Sequence, residues 1–234
     1  MSWENLIVWG RGVGFIVGAG LFWLQYFDLK DYLNPEPRRM LILSYFLGAA
    51  AAGVGLALYR LFEFLGVPDD PGNTPLQILL YCFCVVGLIE EGVKFVAARV
   101  IVFRTIHFDE PIDGLVYSSA IAIGFASIES LIYTPLLSWP YQLARDVTAP
   151  LTHSLFSSIW GFGCGYAFFR SPTKIQKISW QFFSVLIAMA AHAGYDFFLL
   201  SQNATYVASI IAFILWALLI WRARQIVHLR AIVH

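Results

Sequence analysis

Charge is what this sequence has least of. Only 13% of its 234 residues are Asp, Glu, Lys or Arg, where a soluble domain carries roughly 25%. The charges cancel to a net of zero and no Lys/Arg-rich run occurs, so nothing points to nucleic acid. Cysteine is scarce as well: Cys82, Cys84 and Cys164 all sit in apolar runs. An odd count in such runs argues against a disulfide framework. Cys82 and Cys84 fall on different faces of a helix and make a poor metal pair, so all three read as small packing residues. Proline is concentrated in connectors and no internal repeat is evident. That argues against the broken, repeated helices of secondary transporters. Residues 205–221 contain no lysine, which excludes a retinal Schiff base in the last apolar segment.

What is present is apolar: 59% hydrophobic residues and a mean hydropathy of +0.70. A spanning helix needs about 20 such residues. The pattern predicts an all-α, polytopic membrane helix bundle of about seven transmembrane helices, at 4–27, 40–64, 76–101, 113–135, 148–169, 180–200 and 205–221. The connectors "NPEP" (34–37), "VPDDPGNTP" (67–75), "DEPIDG" (109–114) and "SPTK" (171–174) carry helix-breaking residues. Asp113 is expected to cap the fourth span. The first span reads as a membrane segment rather than a removed leader. The spacing of Gly10, Gly14 and Gly18, and of Gly161 and Gly165, predicts close helix packing. Residues 1–234 read as a single integral membrane domain, with 76–200 as its core and 222–234 as a basic tail on the cytoplasmic headgroups.

Loop charge orients the bundle. Lys30, Arg38, Arg39, Arg99, Arg104, Arg170, Lys174, Lys177, Arg222, Arg224 and Arg230 fall on one side, and Arg145 alone on the other. The positive-inside rule then places the N-terminus outside and the C-terminus in the cytoplasm.

A charge in a span is costly, and such groups mark function. "LIEEGVKF" (88–95) puts Glu90, Glu91 and Lys94 inside the third span. Lys94 is three residues from Glu91 and four from Glu90, so it can reach both. One lysine cannot offset two carboxylates, and the second needs another partner. Glu129 in span four, His153 in span five and His192 in span six can converge with it, and Asp196 is one turn beyond His192. A carboxylate and a histidine can hold and deprotonate a water. Two histidines and a glutamate can also make an open zinc site, with another glutamate as base. Asp196 can orient His192. Arg60 and Glu63 near the end of span two read as snorkelling surface groups.

Four elements in order resemble the PrsW family of intramembrane proteases, relatives of the type II CAAX prenyl proteases. They are "EEGVK" (90–94), "FASIE" (125–129), "HSLFSSIWG" (153–161) and "HAGYD" (192–196). The loop and helix at 109–126 are similar too, and the likeness covers about residues 76–200. It implies a hydrolase cleaving peptide bonds of membrane-anchored proteins in a bacterial or archaeal cell membrane. The family is associated with site-1 cleavage of anti-sigma factors. The catalytic set it implies is Glu90, Glu91, Glu129, His153 and His192, with Glu90 as base, Glu91 tied to Lys94, and Phe125 and Asp196 in support. In a metalloenzyme, His153, His192 and Glu129 would be the ligands and Zn2+ the ion. The sequence supplies groups for a glutamic or a metal mechanism. Asp196 stands where the family often has Asn, and Ser130 where Asn is common. The expected partners are a membrane-anchored protein or peptide and the lipid bilayer. The competing readings are a CAAX-type prenyl protease, a proton- or ion-coupled transporter and a non-catalytic scaffold. The first is disfavoured because its substrate is cytosolic and these polar groups lean outward.

Overall fold

The computed structural model describes the backbone of residues 3–29, 34–201 and 205–233, and the side chains of 8–29, 34–201, 206–221 and 225. Lys30, Arg222, Arg224 and Arg230, used above for orientation, have side chains outside that set. Every regular element among the described residues is helical. In chain order these are α1 (Trp3–Asp28), α2 (Arg38–Phe64), α3 (Pro75–Tyr81), a π-helical turn (Cys82–Gly87), α4 (Leu88–Val100) and a 3-10 turn (Val102–Arg104). They continue with α5 (Asp113–Tyr133), α6 (Trp139–Arg170), α7 (Lys174–Leu200) and α8 (Thr205–Val233).

Among the described residues, four stretches are long and apolar enough to cross a membrane: Arg38–Phe64, Pro75–Arg104, Asp113–Tyr133 and Lys174–Leu200. A shorter apolar stretch runs Tyr206–Trp221. The protein is therefore an integral membrane helix bundle. The sequence placed the fifth span at 148–169, but α6 begins nine residues earlier, at Trp139. Its apolar character is diluted by Thr152, Ser154, Ser157 and Ser158, all buried inside the bundle. Arg145, expected in a connector, consequently lies within a helix. Lys174 and Lys177, also expected in a connector, open α7. Residues 222–233 continue α8 rather than forming a separate tail.

The bundle is built around α5, whose apolar window is 78% buried. It packs against α1, α2 and α6. Two crossings hold it there. At one, Gly48 of α2 lies against the Ile121 carbonyl while Gly124 of α5 lies against the Tyr45 carbonyl. At the other, Gly114 faces Gly161 and Gly165 faces the Pro111 carbonyl. A side chain at any of these points would push the backbones apart. The Gly161/Gly165 expectation is met, but that for Gly10, Gly14 and Gly18 is not: no described residue outside their own helix lies within 4 Å of a Cβ there. The glycines of α1 that approach the bundle are Gly12, beside Thr134, and Gly20, beside Ile123.

The connectors at the start of α5 are fastened to each other. Asn34 donates to Oε1 of Glu110 at 2.7 Å, and the Tyr117 hydroxyl donates to Glu36. Asp113 does not cap α5 as expected. Its Oδ2 instead accepts the backbone N–H groups of Asp109 and Glu110, at 2.8 and 2.6 Å, closing the loop before the helix. Burial pushes the Glu36 carboxyl above its ordinary range, against the opposing hydrogen bond from Tyr117.

Candidate active site

The π-helical turn ends at Gly87, where a Cβ would lie 2.9 Å from the Met189 carbonyl of α7. π-turns recur at functional sites. This one leads directly into α4, whose buried residues include Glu90, Glu91 and Lys94. The missing side chain at Gly87 lets α7, which carries His192, sit against the start of α4.

The two glutamates have different surroundings. Glu91 is fully buried and accepts from four donors. Its Oε1 takes Lys94 Nζ at 2.9 Å and faces His192 Nδ1 at 3.0 Å. Its Oε2 takes the Ser157 hydroxyl at 2.8 Å and Trp160 Nε1 at 2.9 Å. Such a set satisfies a buried carboxylate, which is costly when unpaired. Glu90 accepts from the Tyr59 hydroxyl on Oε1 at 3.1 Å, while its buried Oε2 has no hydrogen-bond partner among the described residues. Around that oxygen stand Lys94 Nζ at 3.6 Å, His153 Nδ1 at 3.7 Å and His192 Nε2 at 4.0 Å.

His153, on α6, is held from both sides. Nδ1 is 2.8 Å from Lys94 Nζ, and Nε2 is 2.8 Å from Oε2 of Glu129. An ammonium only donates, so Nδ1 is the acceptor and Nε2 carries the proton toward Glu129. Arg145 in turn grips Oε1 of Glu129 at 2.6 Å and lies over the Tyr133 ring at 3.9 Å. The Phe125 ring lies 4.2 Å from Lys94 Nζ, a cation–π contact in a desolvated place. His192 stacks on Phe156 with centroids 4.7 Å apart. Glu129, Arg145 and Asp196 retain 21%, 26% and 22% side-chain exposure, so the site opens beside them and closes at Glu91 and Lys94.

The site residues expected from the sequence, Glu90, Glu91, Lys94, Phe125, Glu129, His153, His192 and Asp196, gather here. Asp196 differs in detail: it lies 3.5 Å from His192 Nε2, so the nitrogen it faces is the one pointing into the site. Orientation of His192 comes from Glu91 on Nδ1. Tyr59, Ser157, Trp160 and Arg145 were not anticipated. Ser157 and Trp160 had a signal, because they follow His153 at helical spacing of four and seven. Arg145 was hidden by the misplaced start of α6, and Tyr59 had no local signal.

Glu90, His153 and His192 each offer one ligand atom, all within 4.8 Å of one another and all buried. Two imidazole nitrogens and a carboxylate oxygen suit zinc, and the partnerless Oε2 of Glu90 is the kind of atom an ion satisfies. Lys94 shares His153 Nδ1 but keeps Glu91 if it withdraws, so the set fits. Glu129, expected among the ligands, stands behind His153 as its partner.

No solved structure matches this chain. Among curated proteins, Protease PrsW of Bacillus subtilis (strain 168) is 28% identical over 202 residues, covering 86% of this chain and 88% of that protein. Protease PrsW of Geobacillus kaustophilus (strain HTA426) is 29% identical over 187 residues, covering 80% and 79%. Protease PrsW of Clostridioides difficile (strain 630) is 28% identical over 207 residues, covering 87% and 82%. The profile described as PrsW family intramembrane metalloprotease matches residues 36–221, which takes in α2 and every residue of the cluster. The chain is thus a membrane protease and belongs to the PrsW family of intramembrane metalloproteases.

Proposed function

We propose that this protein hydrolyses a peptide bond of a membrane-anchored protein, with Glu90 as the group that activates water. The observation that carries this reading is Oε2 of Glu90, buried between two imidazoles and without a hydrogen-bond partner among the described residues. A water held between Oε2 and His192 gives its proton to Oε2 as its oxygen attacks the scissile carbonyl carbon. The Nε2–H of His192, its charge balanced by Glu91 and Asp196, donates to the oxygen that becomes negative. Collapse breaks the C–N bond, and the proton on Glu90 passes to the leaving amine. Glu91 and Lys94 form the fixed floor of the site, and Glu129 holds His153. Residues 76–200 form the catalytic core, to which α2 contributes Tyr59.

A second reading follows from the convergence of Glu90, His153 and His192 and from the family's description as a metalloprotease. Those three residues would hold a zinc ion, which when bound supplies Lewis-acid polarisation and an acidified water. Under both readings the site lies toward the outer leaflet, with the N-terminus outside, which suits site-1-type cleavage of an anchored regulator such as an anti-sigma factor.

The test is cleavage of membrane-anchored peptides by purified wild type and by Glu90→Ala, Glu91→Ala, His153→Ala and His192→Ala. Wild type cleaves and the variants lose activity. Normal cleavage by all four variants sinks the assignment. Elemental analysis before and after chelation separates the two readings: activity that survives complete zinc removal rules out the metal reading.

A further inference from the structure

We propose that Tyr59 is a positioning residue for this reaction, its hydroxyl fixing the orientation in which the Glu90 carboxylate presents one oxygen to the two imidazoles. The inference rests on the reading of Glu90 as a working group, whether base or ligand, and extends the site to α2. The path to it begins in the sequence of that helix. Ser44, Gly48, Ala51, Ala52 and Gly55 are its small buried residues, and they recur at the three- and four-residue spacing of one helix face. This face lets α2 lie against α5, with Gly48 against the Ile121 carbonyl and Gly124 against the Tyr45 carbonyl at the crossing. The height and rotation of α2 are thereby fixed. Tyr59 comes four residues after Gly55 on the same face, about 16 Å along the axis from Gly48. It is the first bulky polar residue there, and its hydroxyl meets Oε1 of Glu90 at 3.1 Å.

That contact has a consequence for the carboxylate. A glutamate side chain has three rotatable bonds and loses considerable freedom when ordered. Lys94 lies 3.6 Å from Oε2, an attraction without the direction of a close hydrogen bond. Tyr59 supplies the direction. With Oε1 tied to α2, Oε2 is the oxygen left toward His153 and His192. Placing a reacting group this way is worth a large factor in rate, because small displacements from the reactive geometry are costly.

The test compares Tyr59→Phe, which keeps the ring and removes the hydroxyl, with Tyr59→Leu, which removes both. Each is purified in bilayers and measured for kcat, KM and Tm on one membrane-anchored peptide, beside Glu90→Gln. For Tyr59→Phe the expected result is a fall in kcat of about tenfold to a hundredfold, the range for losing one hydrogen bond to a charged group, with KM and Tm unchanged. Tyr59→Leu loses a similar factor in kcat and also loses Tm. Wild-type kcat in Tyr59→Phe, with Glu90→Gln inactive, overturns the inference and leaves the function of Glu90 standing. Wild-type cleavage by Glu90→Gln overturns both. A matched loss of kcat and Tm in Tyr59→Phe assigns the residue to packing and overturns the inference.

Discussion

Nδ1 of His192 lies 3.0 Å from Oε1 of Glu91, and this contact sets which edge of the imidazole enters the site. A carboxylate accepts and does not donate, so Nδ1 carries a proton toward Glu91, and a second proton on Nε2 makes the ring the cationic donor of the proposed reaction. Nε2 then faces Oε2 of Glu90 at 4.0 Å and Asp196 at 3.5 Å. Glu91 also holds Lys94, Ser157 and Trp160, joining α4, α6 and α7 through a single side chain. Two adjacent glutamates therefore divide the work: one ties three helices together, and the other keeps an oxygen free.

Substitution of the two glutamates separates those roles. Glu91→Ala leaves Lys94 buried without its closest counter-charge, and breaking a buried pair from one side costs about 3–5 kcal/mol. Its Tm falls sharply or it fails to accumulate folded. Glu90→Ala removes a carboxylate with one hydrogen bond and leaves Lys94 paired, so its Tm stays near wild type while cleavage is lost. Thermal unfolding in detergent checks this. Equal Tm losses in the two variants contradict the division.

Arg145 acts on the site through Glu129. Arg145→Met keeps a stem of similar length but removes the guanidinium, which lies over Tyr133 and holds Oε1 of Glu129 at 2.6 Å. The pair is partly exposed, so the expected stability loss is small, about 1 kcal/mol or less. Activity falls further, by roughly tenfold, because Glu129 no longer fixes the proton of His153 on Nε2. The measurements are kcat and Tm on the same preparation. Unchanged kcat means that His153 holds its alignment without this chain of contacts.

The sequence made the cluster legible because intramembrane charge is rare. Each of Glu90, Glu91, Lys94, Glu129, His153 and His192 stands out against an apolar background, and their order on successive helices is enough to bring them together. Helix ends were less legible. The start of α6 was missed because Trp139–Thr148 is polar enough to read as a connector, yet Gln142 and Asp146 are buried in the fold and bonded to each other at 2.7 Å. The glycines of α1 misled for a related reason. Gly10, Gly14 and Gly18 have the right spacing for packing but lie on the face turned away. Spacing identifies a face without saying what covers it. Tyr59 was invisible, since its role depends on how α2 crosses α5, a long-range relationship with no local pattern.

Glu36 gives the protein a pH dependence of a definite sign. Burial holds its carboxyl above the ordinary value of 4.5, with Asp109 and Asp28 adding in the same direction and Tyr117 and Asp113 opposing. The folded state thus keeps this proton to higher pH than the unfolded chain does. Stability from this group is present below the ordinary value and is lost as pH rises through the raised one. Glu36→Gln cannot ionise, and its carbonyl can still accept from Tyr117. Between about pH 5 and about pH 8 the Tm of wild type should fall more than that of Glu36→Gln. Parallel curves for the two proteins refute the assignment.

The crossing of α2 and α5 ties packing to chemistry, and two glycines of one helix test it. A Cβ on Gly48 would run into the Ile121 carbonyl, which is backbone and cannot swing aside. A Cβ on Gly53 meets nothing within 4 Å. Glycine in a helix interior costs about 1 kcal/mol relative to alanine, so Gly53→Ala should leave Tm unchanged or raise it slightly, with normal kcat. Gly48→Ala gains the same propensity but must part the helices, and overpacking of this kind costs typically 1–3 kcal/mol. Its Tm falls. Because α2 carries the hydroxyl that meets Glu90, its kcat falls as well, with KM little changed. A Gly48→Ala variant that loses Tm but keeps full kcat would show that α2 shifts without moving Tyr59, and would uncouple the crossing from the site.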